Sequence, residues 1–173
     1  MTDFSATSGE VVVTGTDGRD SPSGEAFDPQ AFDPQAFDPQ RLCELAVVVL
    51  KGEGIDRGQL DLHFVDPDTI AELNVEHLGH VGPTDVLSFP IELDPFSPDE
   101  LLLLGDVVLC PAVAAAQASD HVGTAKGEFE LLVIHGVLHV LGHDHAEEAE
   151  TIVMQQLERS YLATLGVAHP VTS

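Results

Sequence analysis

Basic side chains are scarce: lysine and arginine together number six against thirty acids, a formal net charge of −24 at neutral pH. That excludes a protein gripping nucleic acid through a broad basic face, so any polyanionic substrate has to be held locally. Cysteine is scarcer still. Cys43 and Cys110 are the only two, too few for a disulfide framework and without a CxxC spacing, which points to a reducing compartment, by default the cytoplasm. No apolar run approaches the ~18 residues that span a bilayer, and residues 1–25 lack the basic and apolar regions of a secretory signal. Membrane insertion and secretion are therefore not expected.

What is present fits one ordinary domain with some excess: 173 residues, 43% of them hydrophobic and spread through the chain after residue 41. A core can form without covalent staples. Residues 26–40 read AFDPQ three times over, each unit with a proline that breaks helix and sheet ladders. With the Gly-, Ser-, Pro- and Asp-rich stretch before them, they predict a flexible acidic insertion over residues 15–40. The alternative is a short docking motif anchored on Phe27, Phe32 and Phe37. The domain is expected over residues 9–168, with 1–8 and 169–173 as flexible termini.

Glu10–Thr14 is a short β-branched run and reads as a strand, followed past the insertion by a helix in RLCELAVVVLKGEG. Leu60, Leu62 and Phe64 alternate with polar neighbours as in a second strand. Asp66 or Asp68 then caps a helix through Ile70, Leu73 and Val75 to about Leu78. DVLSFPIE and LLLLGDVVLC read as two more strands on either side of a Pro-rich loop. Three helices close the chain, one opened by Pro111, one from about Gly127 to Leu141, and one from Ala146 to Leu165. This order is too irregular for a doubly wound sheet and predicts an α+β fold, a small mixed β-sheet of about four strands packed with helices.

Four of the nine histidines fall in HGVLHVLGHDH, residues 135–145. His135 and His139 lie four apart in a segment whose apolar residues support a helix, so both imidazoles leave one face a turn apart, the spacing at which two histidines chelate one metal. Gly142 permits a left-handed helix end, and the reversal brings a third histidine back toward the same ion. His145 is favoured over His143, which has less chain in which to turn. Three nitrogen ligands and an open fourth position describe a catalytic zinc site on a helix and the turn after it, and Asp144 is placed to orient a ligand ring. His63, His77, His80, His121 and His169 read individually as structural or solvated.

HGVLHVLGHDH resembles the HGxLHLxGYDH signature of the YbeY family of single-domain, metal-dependent endoribonucleases. PTDVLSFP at residues 83–90, following Leu73 and Asn74, resembles that family's LNxxYRxxxxPTDVLSFP segment, and GDVVLC at 105–110 its GDIVIS strand. The resemblance spans roughly residues 9–168. It implies one zinc ion per chain on His135, His139 and His145. It also implies a single-strand-specific nuclease that matures small-subunit ribosomal RNA ends, supports ribosome quality control and has ribosomal RNA and the small ribosomal subunit as partners, with no DNA. Asp85 and Ser88 become candidate catalytic residues because the family sets their strand near the metal. The chain departs from the pattern at Leu78, where the family has an arginine, at His77 for a tyrosine, and at His143 for another. His77 and His80 are then the candidate RNA contacts.

Two other readings compete. The histidine spacing also matches the HExxHxxGxxH pattern of metzincin proteases, but Gly136 stands where those enzymes carry their glutamate base. The missing arginine supports a non-cleaving, metal-stabilised ribosome assembly factor. The acidity itself suggests a host with a salty cytoplasm, since residues 41–173 alone carry twenty-two acids and five bases.

Overall fold

The computed structural model describes residues 1–18, 36–91, 102–118 and 124–166. Ten elements follow in order: β1 (Thr2–Ser8), β2 (Glu10–Asp17), α1 (Pro39–Gly52), β3 (Arg57–Phe64), α2 (Pro67–Leu78), β4 (Val86–Pro90), β5 (Leu103–Leu109), α3 (Pro111–Gln117), α4 (Ala125–Val140) and α5 (Glu148–Leu165). The strands form one mixed sheet in the order β1-β2-β3-β5-β4, with both edge strands antiparallel and the inner pairings parallel. The fold is α+β, as expected, with five strands rather than about four.

The added strand is β1, which replaces the expected flexible terminus at residues 1–8. Its residues pair with β2 from Thr2↔Asp17 to Ser8↔Val11 through a tight reversal at Gly9, whose φ of +62° suits glycine. An isolated seven-residue run of mostly polar residues carries little strand signal. Only the neighbour across the hairpin makes it one.

The segment expected to be flexible, residues 15–40, is folded at both of its ends. β2 runs on to Asp17, and the third AFDPQ copy belongs to the folded body. Asp38 caps α1 by accepting the Arg41 N–H at 3.1 Å, and Pro39 occupies the first turn, where its missing N–H costs nothing. Phe37 is buried, edge-on to Phe64 at 5.1 Å and to Phe129 at 5.5 Å between ring centroids. Phe27, Phe32, the expected Pro-rich loop DPFSPDE at 94–100, His121, His169 and the 169–173 terminus lie outside the described residues.

Alternation in β3 sends Leu60, Leu62 and Phe64 into the main core, where they meet Val11, Val13, Val107 and Leu109 from the other strands and the inner faces of α1 and α4. The opposite face carries a smaller cluster of Ile70, Leu87, Val108 and Cys110 under α2. Helix α4 is apolar almost all round because it lies at the centre of the helical layer, against the sheet, α1, α3 and α5. That rigid central helix is the element on which the histidines sit.

Candidate metal centre

His135 and His139 project from the last turns of α4. The helix then ends in a Schellman motif: Gly142 adopts φ +94°, its N–H reaches the His139 carbonyl, and the His143 N–H reaches the Leu138 carbonyl, both at 3.0 Å. The reversed chain is held by its own side chains. Asp144 Oδ1 accepts the His145 N–H at 2.7 Å, and Thr151 of α5 donates its hydroxyl to the His145 carbonyl at 3.1 Å. His145 is thereby carried back over the helix. One ligand nitrogen from each of His135, His139 and His145 lies within 4.8 Å of the other two. Ring centroids are 4.5 Å apart for His135 and His139, 5.0 Å for His139 and His145, and 5.8 Å for His135 and His145.

The donor chemistry suits a metal ion. Burial, and then the charges of neighbouring His135 and His145, hold His139 below the usual histidine range, which favours the neutral ligating form. His135 Nδ1 stands 2.7 Å from Glu158 Oε1. With that nitrogen donating to the carboxylate, Nε2 keeps the lone pair that coordination requires. Among the described residues this is the one cluster of three or more histidine, cysteine or carboxylate ligands with such spacing.

The remaining candidates are placed as follows. His143 turns away from the cluster and donates from Nε2 to Glu53 Oε2 at 3.0 Å. Asp144 braces the turn through the His145 backbone rather than through a ligand ring; the ring-orienting carboxylate is Glu158. Ser88 gives its hydroxyl to the Gly136 carbonyl at 3.1 Å, tying β4 to α4. Asp85 accepts the Val86 N–H at 2.8 Å and the Thr84 hydroxyl at 3.2 Å, and its carbonyl accepts the Cys110 N–H. His77 rests on Phe89 with centroids 4.8 Å apart, while His80 and Leu78 are exposed near the end of α2.

Gly136 explains the absence of the protease glutamate in physical terms. A Cβ there would meet Val107 Cγ1 at 2.6 Å and Ser88 Oγ at 3.3 Å. The position faces the sheet, so a longer side chain has no room.

Glu158 is the residue that sequence reasoning missed. It falls four residues after Met154 and four before Leu162, the other buried residues of α5, so an acid sits in a core stripe. A carboxylate at such a position needs a buried partner, and that was the available signal.

The family model described as Endoribonuclease YbeY matches residues 35–166. The chain belongs to the YbeY family. The Endoribonuclease YbeY of Cutibacterium acnes is 47% identical over 109 residues, covering 61% of this chain and 70% of the relative. That of Thermobifida fusca is 43% identical over 128 residues, covering 71% and 83%. A solution structure of a Thermotoga maritima protein, 24% identical, superposes with a TM-score of 0.50 over 83% of this chain and 89% of that one, which shows a shared fold. The match to the YbeY family model takes in the third AFDPQ copy and begins after β1 and β2, so it contains the whole histidine site.

Proposed function

We propose that the chain is a zinc-dependent endoribonuclease that cuts single-stranded RNA and matures the ends of small-subunit ribosomal RNA, working in the cytoplasm and supporting ribosome quality control. The observation that carries this reading is the convergence of His135, His139 and His145 in a chain of the YbeY family, whose relatives are named endoribonucleases. Nitrogen-only ligation favours zinc over magnesium or calcium, and three protein ligands leave the fourth position open, as hydrolytic zinc sites require. When bound, zinc supplies Lewis acidity toward a phosphoryl oxygen and brings the pKa of a water to about 7.

The chain's own residues orient that chemistry. Glu158 fixes the tautomer and pitch of the His135 ring, and the Gly142 reversal delivers His145. Ser88, its hydroxyl committed to Gly136, holds β4 against α4, which leaves Asp85 as the candidate for handling a proton. His77 and His80 are the proposed RNA contacts near the end of α2. Neither is a permanent fork-shaped cation as arginine is. With a net charge of −24 the global field repels RNA, so affinity rests on local contacts and on the ribosomal particle that presents the substrate.

Leu78, standing exposed where the family arginine would fall, favours a second reading, an assembly factor that binds particles without cutting. The test incubates wild type and His139→Ala with ribosomal precursor particles, naked RNA and an unstructured peptide, at low and molar salt, and maps the ends produced. Metal-dependent RNA cleavage by wild type alone is expected, stronger on particles than on naked RNA. Unchanged precursor ends with tight particle binding by both proteins would favour the assembly factor, and peptide cleavage would overturn both.

A further inference from the structure

The turn that carries His145 is anchored by residues that no part of the proposed chemistry uses. Glu53 sits just past the end of α1 and receives two hydrogen bonds from different directions. His143 Nε2 donates to its Oε2 at 3.0 Å, and the Tyr161 hydroxyl of α5 donates to its Oε1 at 2.8 Å. The phenol reaches Glu53 because residue 52 is glycine: a Cβ at Gly52 would lie 2.2 Å from the Tyr161 oxygen. Burial, reinforced by the Glu53 carboxylate, pushes the Tyr161 phenol far above its usual range, so it stays a donor. One carboxylate therefore joins three parts of the fold, the end of α1, the turn after α4 and the body of α5.

His135 and His139 arrive on a rigid helix, whereas His145 arrives three residues beyond Gly142 on an exposed turn. Where that turn is not held, ion binding has to order it, and affinity falls by the cost of the ordering. We propose that His143, Glu53 and Tyr161 are positioning residues that set the metal affinity of the three-histidine site by holding the turn in its ligating conformation. The proposal rests on the reading of His135, His139 and His145 as a metal site.

The experiment uses the full chain stripped of metal and titrated with zinc against a chromophoric chelator, with the melting temperature of each metal-free protein measured alongside. Glu53→Gln keeps the volume and removes the charge that both donors share. It is expected to weaken zinc binding about tenfold, the order of the cost of fixing one backbone residue of the turn on binding. His143→Ala should do the same, and the double variant should lose little more than either alone, since both act through one contact. Tyr161→Phe, which removes a single hydroxyl, provides the readout if Glu53→Gln folds poorly, with a smaller loss expected. Unchanged zinc affinity in Glu53→Gln or, where that variant does not fold, in Tyr161→Phe, even with a lowered melting temperature, would overturn the positioning role while leaving the metal site intact. Failure of wild type to bind zinc would remove the metal reading and the positioning role together.

Discussion

Glu158 Oε1 lies 2.7 Å from His135 Nδ1, and this contact joins the buried face of α5 to the first ligand of the candidate metal centre. The carboxylate is nearly inaccessible, so its hydrogen bond is little weakened by water. Replacing Glu158 with alanine is expected to lower zinc affinity roughly 10–100-fold. Chelator competition on the metal-depleted protein measures it, and equal affinities would show that the ring is oriented by something else.

Gly136 lets α4 approach the sheet closely, with Val107 and Ser88 against it. Gly136→Ala forces its new methyl into Val107 and should destabilise the protein by about 1–3 kcal/mol, the usual range for overpacking. Denaturant melts would show it as a lower midpoint with an unchanged slope. Gly136→Glu should be worse for folding and should produce no peptidase.

The third AFDPQ copy is structural. Phe37→Ala removes a ring packed between Phe64 and Phe129 and is expected to cost about 3–5 kcal/mol, while Asp38→Ala, which removes a helix cap, costs about 1 kcal/mol. Excising residues 15–40 as a block removes both features together with the end of β2, so it should prevent stable folding. A block deletion that melts like wild type would show that neither the Phe37 packing nor the Asp38 cap contributes to stability.

Both cysteines are free and buried. Burial, with the Glu44 charge adding to it, pushes the Cys43 thiol up to about 11, and burial likewise raises Cys110. The native protein should therefore resist alkylation at pH 8 and become reactive only on unfolding. The raised thiol stabilises the fold fully below the unfolded value of 9.0, and its share is lost as pH rises through about 11. Stability curves taken from pH 8 to 11 should fall across that window. Rapid labelling of native Cys43 at pH 8 would contradict its burial.

Self-repulsion at a charge of −24 weakens the compact state most at low ionic strength. Between about 0.1 M and 1 M potassium chloride the Debye length contracts from about 10 Å to about 3 Å, so the melting temperature should rise over that interval. A flat or falling melting curve would argue against a salt-adapted surface.

The sequence by itself determined the helices, the inner strands and the candidate histidines. Apolar periodicity marked the helices and inner strands, Asp66 and Pro111 marked helix starts, and the spacing of His135, His139, Gly142 and His145 specified two ligands on a helix and a third after a left-handed turn. Each of these signals is local, written within a few residues along the chain. Tertiary structure decided what depends on residues distant in sequence. β1 became a strand because β2 lies beside it, and the third AFDPQ copy became a cap and core plug because Phe64 and Phe129 form a socket for Phe37. His143 is drawn to Glu53, ninety residues away, rather than into the histidine cluster, and His135 received its orienting carboxylate from α5. The physical reason is common to all four. A hydrogen bond or a buried ring gains its energy from its surroundings, and packing brings those surroundings together only after the local elements exist.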